Sequence, residues 1–282
     1  MSPLRVFVLT LLAMLAFAGN SLLCRAALQA GRIDAASFTT IRVVAGALAL
    51  WLIVRLQRGR AEKAGSWPSA FALFAYAAAF SFAYVTLTTA TGALLLFGAV
   101  QATMIGYGFW RGERLGGWQL LGVATALGGL IGLLLPGLSA PPLQGAALML
   151  GAGIAWGAYS LRGKGAGDPL QATAGNFLRA VPFAAALTAA MLPWAALDAA
   201  GVALAVASGA VTSGIGYAIW YSALPGLKAA SAATVQLSVP PLAALGGIVL
   251  LGEPLTLRLV LASVAILGGI ALVVAEKRRG GA

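Results

Sequence analysis

Two segments of the chain, residues 112–134 and 252–274, repeat each other at a constant offset of 140. Both open with Gly-Glu-x-Leu, and both carry Leu-Gly-Gly 15 residues further on. A repeat at a fixed offset is typical of a duplicated chain in which each copy forms one structural unit. We therefore predict two units, residues 1–138 and 139–282.

The composition indicates that these units lie in a lipid bilayer. Hydrophobic residues make up 61% of the chain and charged residues 9%, and the mean hydropathy is +0.94. A soluble domain is about 45–50% apolar and about 25% charged. The net charge of +11 does not indicate a nucleic-acid partner, because no basic run is long or interleaved enough to follow a phosphate backbone. Basic residues of this kind collect in the cytoplasmic loops of membrane proteins.

Ten apolar stretches have the length that crosses a bilayer as an α-helix. They cover residues 4–24, 36–56, 68–88, 91–110, 116–136, 143–162, 170–193, 200–222, 228–251 and 257–275. Five stretches fall in each copy, and the segment 136–142, rich in proline, joins the copies. The predicted fold is therefore all-α and polytopic, with ten transmembrane helices.

The distribution of Lys and Arg predicts the orientation. With a cytoplasmic N-terminus, thirteen basic residues lie on the inner side and three, Arg25, Arg32 and Arg258, on the outer side. This bias predicts that both termini are cytoplasmic. Because five is an odd number, Glu113 then lies at the inner surface and its repeat equivalent Glu253 at the outer surface. The two copies are predicted to be inverted repeats.

Inverted repeats favour a transporter over an enzyme. Such repeats allow a protein to open alternately to the two sides, with its substrate bound near the midplane. The chain has no histidine and one cysteine, Cys24, so it offers no Cys/His metal cluster and no internal disulfide. We see no catalytic constellation, no cofactor motif and no phosphate-binding loop for ATP. No Asp, Glu or His lies inside a predicted span, so no proton-coupling group is evident.

The second copy carries the motifs of a known family. In chain order these are Gly216-Tyr217-Ala218 with Trp220, Lys228-Ala229-Ala230-Ser231-Ala232, Pro240-Pro241 and Leu251-Gly252-Glu253-Pro254-Leu255. With ten helices in two repeats, they resemble the drug/metabolite transporter superfamily and, within it, the EamA-type exporters. The first copy departs from the pattern, since Gln101 stands where Pro241 does. The resemblance implies the fold and a role in export, while the motifs are specific to fold rather than to substrate.

Deep aromatic and amide side chains are the candidate substrate site. An interfacial belt explains aromatic residues near helix ends but not those near mid-helix. We predict that a central cavity is lined by Asn20, Tyr84, Gln101, Trp156, Tyr159, Ser160, Tyr217, Trp220 and Gln236. Core packing and interhelical hydrogen bonds remain open as alternative roles. A mostly aromatic pocket with a few polar groups suits an amphipathic solute of modest size.

Two arginines and two prolines interrupt the apolar spans. Arg42 and Arg179 align between the copies at offset 137, and an arginine at helix centre costs about 2.5–3.5 kcal/mol on insertion scales. One or both of them bind a substrate carboxylate, or they have a gating or structural role, which the position of Arg42 near the end of its helix favours. Pro240 and Pro241 remove two backbone donors and predict a break or hinge in the ninth helix.

Small residues four apart predict helix-packing faces, as in Gly128 with Gly132 and Gly209 with Ser213. Taken together, the sequence predicts a bacterial inner-membrane exporter of amino acids, aromatic or large neutral ones. Export of other small metabolites or of lipophilic drugs on the same fold is the alternative. The lack of an acid between Leu9 and Leu23 disfavours a cationic drug.

Overall fold

The chain folds mainly into long apolar α-helices, as its composition predicts. The computed structural model describes residues 1–58, 64–112, 114–137, 140–163, 167–227 and 229–279, and no strand occurs within these ranges. The helices are α1 (Pro3–Gln29), α2 (Ala35–Arg58), α3 (Trp67–Tyr84), α4 (Thr89–Trp110), α5 (Gly117–Leu134), α6 (Leu143–Arg162), α7 (Pro169–Ala190), α8 (Ala199–Ala207), α9 (Gly216–Ala223), α10 (Ala229–Gln236), α11 (Val239–Leu251) and α12 (Leu257–Arg279). A π-helical segment, Ser208–Ile215, joins α8 to α9.

Two of the predicted spans are not regular helices. The eighth, predicted over 200–222, contains the π-helical segment, in which Gly209 lets the backbone approach α2 so closely that an added Cβ would meet the Arg42 carbonyl oxygen. The ninth, predicted over 228–251, is split between α10 and α11. Pro240 falls in the first turn of α11, where no N–H donor is needed, so the proline pair starts a new helix.

Seven helical stretches in the described part of the chain are long and apolar enough to cross a membrane. Helices α3, α6 and α7, with 18, 20 and 22 residues, are not among them. Their length suffices for a crossing, but small and polar residues lower their hydropathy. The same three helices supply much of the polar lining of the cavity described below.

The fifth helices of the two copies, α5 and α12, pack directly against each other. An added Cβ on Gly122 would lie 2.5 Å from the Gly269 carbonyl oxygen, and one on Gly129 would lie 3.2 Å from the Ile266 nitrogen. As residue numbers rise on α5 they fall on α12, so the pair is antiparallel. The prediction that Gly128 and Gly132 form a packing face is wrong. An added Cβ at either glycine meets nothing within 4 Å, because α5 contacts α12 through Gly122 and Gly129, two turns apart.

The second helices of the two copies, α2 and α7, also pack antiparallel. Thr40 donates its hydroxyl to the Ala184 carbonyl oxygen at 2.8 Å, and Thr188 donates to Ala36 at 3.1 Å. Further along α2, an added Cβ on Gly46 would meet the Phe177 ring. The sequence prediction that Gly209 belongs to a packing face is confirmed by the same region, where it touches the α2 backbone.

Loops at one end of the helices bind each other through Asp34. Its carboxylate accepts hydrogen bonds from the backbone N–H of Ala36, Ser37 and Ala196, which ties the α1–α2 loop to the α7–α8 loop. Partial burial raises the pKa of Asp34, but hydrogen bonds from Ser37, Ala196 and Ala36 outweigh it, so the pKa lies below its usual value. We call this the Asp34 end.

The other end of the helices is formed by the α2–α3, α6–α7 and α9–α10 loops. The sequence there is rich in Lys and Arg, so we call it the basic end. The Asn176 side chain accepts a hydrogen bond from the Ser66 N–H at 2.8 Å, which holds the α2–α3 loop against α7. Within the described residues, each of these loop contacts therefore joins elements at the same end of the molecule.

Candidate functional site

A cavity of about 670 Å³ lies between α1, α3, α4, α6, α7, α9, α10 and the π-helical segment. The predicted site residues that line it are Asn20, Gln101, Trp156, Tyr159, Ser160, Tyr217, Trp220 and Gln236. These residues come from both copies of the duplicated chain. Eight of the predicted side chains thus lie at one cavity. Their contacts determine what the cavity can bind.

The wall of the cavity is an aromatic cluster centred on Trp156. The Trp156 ring lies 4.8 Å from Tyr76, 5.2 Å from Tyr159 and 5.5 Å from Tyr217, centroid to centroid. Its plane is tilted by only 17° from that of Tyr217, so the two are stacked. Trp220 belongs to the same wall through Phe17, at 6.1 Å. Such a wall offers flat apolar faces to a solute ring.

The Asn20 amide is fixed by hydrogen bonds from both sides. Its Nδ2 donates to the Tyr76 hydroxyl at 3.4 Å, and its Oδ1 accepts from the Ser208 hydroxyl at 2.7 Å and from the Thr212 hydroxyl at 3.4 Å. Gln101 and Gln236 also line the cavity, and neither side chain takes part in a hydrogen bond within the part of the chain that the structure describes. These two amides are free to bind a solute.

A second polar network lies towards the basic end. The Tyr159 hydroxyl donates to Thr173 at 3.3 Å, and the Thr173 hydroxyl donates to Tyr221 at 3.0 Å. Asn176 donates its Nδ2 to the Tyr159 hydroxyl at 3.4 Å. Ser160 is less available, because its hydroxyl donates to the Trp156 carbonyl oxygen one turn earlier at 2.8 Å.

Tyr84 lies apart from the cavity. It is fully buried at the C-terminal end of α3, where its hydroxyl donates to the Thr89 carbonyl oxygen at 3.3 Å. Its ring packs against Gly92 and edge-on against Phe80, at 4.7 Å. Tyr84 shares a helix face with Tyr76, but it lies two turns beyond it and past the closed end of the cavity. Its contacts are those of core packing.

The two aligned arginines have different surroundings. Arg179 donates its Nη1 to the carbonyl oxygens of Ala64 at 2.7 Å and Gly175 at 2.9 Å, which is a structural arrangement at the basic end. Arg42 is only 2% exposed, and its guanidinium carbon lies 4.8 Å from the Phe80 ring and 5.2 Å from the Tyr76 ring. Its Nη2 donates to the Tyr76 hydroxyl at 3.0 Å.

The cavity reaches the basic end but not the Asp34 end. Gly65, Ser66, Gly163 and Leu224 line it at the basic end, whereas no described loop residue of the Asp34 end does. At the basic end Arg162 lines its mouth and donates its Nε to Ser69 at 3.3 Å. The space is thus accessible from one side of the molecule.

An ion pair closes the Asp34 end. Arg25 donates its Nε to Glu253 at 3.2 Å and its Nη1 to the Tyr84 carbonyl oxygen at 3.0 Å. Glu253, 8% exposed, also accepts the Thr89 N–H at 2.8 Å. We call this set of contacts the latch, because it joins α1, α3, α4 and the α11–α12 loop. The predicted equivalent of Glu253, Glu113, lies outside the described residues.

Comparison with known proteins gives a family match for the second half of the chain. Residues 143–275 match the model of the EamA-like transporter family. An uncharacterized protein of Pseudomonas aeruginosa is 62% identical over 274 residues, which are 97% of this chain and 96% of that protein. The second half of the chain is therefore similar to the EamA-like transporter family.

Two further similar proteins cover different shares of the chain. The threonine/homoserine exporter RhtA of Salmonella typhimurium is 36% identical over 132 residues, 44% of this chain and 43% of that protein. A solved crystal structure matches 100% of both chains with a TM-score of 0.70 and 19% identity. At that identity the likeness shows the fold alone. The family match of residues 143–275 points to a multi-pass membrane transporter of small molecules rather than an enzyme.

Sequence reasoning missed several polar residues of the cavity. Thr173 and Asn176 on α7 line it, although only the first, third and fourth helices of each copy were expected to contribute. Thr212, on the π-helical segment, lies in one of the expected spans but was not among the predicted residues. A signal existed, since Thr173 and Asn176 lie three apart on one face of an apolar span. The latch was not predicted, because the sequence indicated Glu253 only as part of a repeated motif.

Proposed function

We propose that this chain exports amino acids, aromatic or large neutral ones, across the bacterial inner membrane by alternating access. The observation that carries the proposal is the aromatic cavity, which reaches the basic end and is closed by the latch at the other. By the distribution of Lys and Arg, the basic end faces the cytoplasm. A solute that enters from the cytoplasm therefore finds an open site, which is the loading state of an exporter.

Packing of equivalent helices supports the inverted repeats that alternating access needs. On α5 and α12, Ala126 contacts Gly269, and Gly129 contacts Ile266. With the repeat offset of 140, Ala126 corresponds to Ile266 and Gly269 corresponds to Gly129. The repeat therefore exchanges one contact for the other. A two-fold axis between two antiparallel helices produces such an exchange. We propose that residues 1–138 and 139–282 are the two repeats, each with five crossings and with both termini cytoplasmic.

An amino-acid substrate is supported by the relatives and by the lining. RhtA, which matches part of the chain, is by name an exporter of threonine and homoserine. The motif pattern of the second copy is similar to that of the bacterial aromatic amino-acid exporter YddG. Stacked rings around Trp156 favour a substrate with a ring or a large apolar side chain, and the free amides of Gln101 and Gln236 suit its polar end.

Other small metabolites or lipophilic drugs are the second candidate on the same fold. A lipophilic cation would need a carboxylate in the cavity, and no Asp or Glu of the described residues lines it. A sugar nucleotide would need several cations, and Arg162 alone among the described cavity-lining residues carries a positive charge. The proposed transport uses no ATP, no cofactor and no nucleic acid, and it is driven by the solute's own gradient.

Counterflow in proteoliposomes tests the proposal. Vesicles are loaded with one unlabelled solute, and uptake of the same labelled solute is followed for phenylalanine, tryptophan, leucine, threonine, a sugar nucleotide and a lipophilic cation. We expect exchange to be fastest for phenylalanine, tryptophan and leucine, and to be absent from vesicles without protein. Exchange of the nucleotide or the cation, without exchange of any amino acid, would assign the second candidate function instead.

A further inference from the structure

Arg42 is a buried cation with no anion beside it among the residues that the structure describes. The ion pairs of the described residues are Arg25–Glu253 and Arg32–Asp198, so Arg42 has no carboxylate partner among them. Its Nη1 is buried and has no hydrogen-bond partner there either. A charge removed from water is strongly disfavoured unless it is paired, and a guanidinium binds a carboxylate through two parallel N–H groups. The surroundings of Arg42 therefore lack one negatively charged group.

Only one layer of side chains separates Arg42 from the cavity. Tyr76 and Phe80, whose ring faces contact the guanidinium, both line the cavity. The Tyr76 hydroxyl accepts hydrogen bonds from Arg42 and Asn20, and its own O–H has no acceptor among the described residues. The positive charge polarises this hydroxyl and makes it a stronger donor. Two unused donors, the Arg42 Nη1 and the Tyr76 O–H, thus lie at the closed end of the cavity.

We propose that Arg42 and Tyr76 form the carboxylate subsite of the cavity and select solutes that carry a carboxylate. The carboxylate accepts the Tyr76 O–H and, after a rotation of that ring, the Arg42 guanidinium. The solute's side chain then lies against the rings around Trp156. This inference rests on the proposed amino-acid transport and names the group by which the substrate is recognised.

Neither Arg179 nor Arg162 fits this role. Arg179 uses its Nη1 on two backbone carbonyl groups and lies outside the cavity lining. Arg162 lies at the mouth, where it is partly exposed to solvent and bound to Ser69, so it meets a solute before the solute is enclosed. A charge in contact with solvent is screened, whereas the charge of Arg42 acts through a low-dielectric interior.

The first test uses the unaltered protein in the phenylalanine counterflow assay. Phenylalanine, phenylalaninamide and 2-phenylethylamine share the ring, but only phenylalanine carries the carboxylate. We expect the amide and the amine to compete roughly tenfold to a hundredfold more weakly than phenylalanine, the size of one charge-assisted hydrogen bond. Equal competition by acid and amide would overturn the proposal, while exchange of phenylalanine itself would leave the proposed function standing.

The second test uses variants at Arg42, each checked for monodispersity and unfolding temperature. In Arg42→Gln we expect the preference for the acid over the amide to fall to near unity, and in Arg42→Lys we expect part of it to remain. Arg162→Gln is the matched control and should keep the preference. Loss of the preference in Arg162→Gln but not in Arg42→Gln would overturn the assignment. If Arg42→Gln does not fold, the ligand series on the unaltered protein decides alone.

The two proposals fail in different ways. If no amino acid exchanges but other carboxylic acids do, and their amides do not, the amino-acid function fails and the carboxylate subsite stands. If the solutes that exchange carry no carboxylate, both fail.

Discussion

Trp156 is the residue on which the cavity's shape most depends. It contacts the rings of Tyr76, Tyr159 and Tyr217, which come from α3, α6 and α9 and so from both copies of the chain. Each aromatic pair contributes about 0.5–1.5 kcal/mol beyond its buried area. A solute ring that joins this cluster would gain contacts of the same kind, so we expect the cavity to discriminate by side-chain shape.

Removal of one aromatic wall should therefore change substrate preference. We expect Trp156→Ala, and likewise Tyr217→Ala, to slow phenylalanine counterflow about three- to tenfold relative to leucine counterflow, since roughly one ring pair is lost. Trp110→Ala is the control, because Trp110 is 78% exposed and far along α4 from the cavity. Wild-type rates for both amino acids in both variants would show that these rings only pack the core.

Residue type and depth predicted most of the cavity, for a physical reason. A polar or amphipathic side chain such as Asn20 or Gln101 inside an apolar helix needs either a partner or water. Tyr84 satisfied the same criterion and still lies outside, because its hydroxyl found a backbone carbonyl five residues away. The sequence alone does not show whether such a hydroxyl binds a protein group or water. It also did not separate Arg42 from Arg179, whose different partners are set by loop positions.

At the scale of helices, backbone contact between α5 and α12 holds the two copies together. Gly122 and Gly269 lie on each other's carbonyl groups, with no room for side chains. Small residues at such crossings allow close approach and van der Waals packing, which drive association in lipid where the hydrophobic effect does not.

A side chain at this crossing should destabilise the protein. We expect Gly122→Leu to lower the unfolding temperature measurably, since overpacking costs about 1–3 kcal/mol. In Gly128→Leu, where an added Cβ meets nothing within 4 Å, we expect little change. The measurement is thermal unfolding of both purified variants in detergent. Equal stability of the two would show that α5 and α12 can move apart without cost.

The latch offers a second prediction at this scale. Glu253→Gln keeps an acceptor for Thr89 but leaves Arg25 without its carboxylate, so we expect the Asp34 end to open more often. Cys24, fully buried and next to Arg25, should then react faster with a membrane-impermeant maleimide. Asp198→Asn is the control, because the Arg32–Asp198 pair is about half exposed, at 47% and 49%, and such pairs contribute little. Equal labelling in both variants and wild type would contradict the latch.

Apolar length predicted nearly every helix, because a bilayer leaves the backbone few alternatives. Proline chemistry predicted the break before α11. The π-helical segment was not foreseen, since it depends on how closely α2 approaches Gly209, a contact between residues far apart in the chain. Helix ends also shifted: α1 continues to Gln29, beyond the predicted end at residue 24.

At the scale of the whole molecule, the carboxylates whose side chains the structure describes lie where a proton-coupled carrier would not place them. Asp34, Asp168, Asp198 and Glu253 lie in loops or at helix ends. Groups that drive transport by changing charge lie inside the membrane. We therefore expect counterflow to be unchanged by a protonophore. Accumulation of a solute against its own gradient, abolished by the protonophore, would reveal a coupling site.

The orientation of the whole chain is testable separately. We expect reporter fusions at residue 282 and within residues 57–66 to be cytoplasmic, because thirteen Lys and Arg residues lie on that side in the predicted topology and three on the other. A fusion after residue 137, between the repeats, should be periplasmic. A periplasmic reporter at residue 282 would mean an even number of crossings in one copy and would remove the inversion.

The position of Glu253 at the start of α4 affects how a solute leaves. Its carboxylate covers the Thr89 N–H, and the N-terminus of a helix carries about half a positive elementary charge. In the alternating access proposed above, opening of the Asp34 end would uncover this charge beside the exit, where it would attract a departing carboxylate. When the end closed again, Glu253 and a solute carboxylate would compete for the same N–H group. The carboxylate tethered to the chain has the higher local concentration, so we expect each closure to displace the solute outwards.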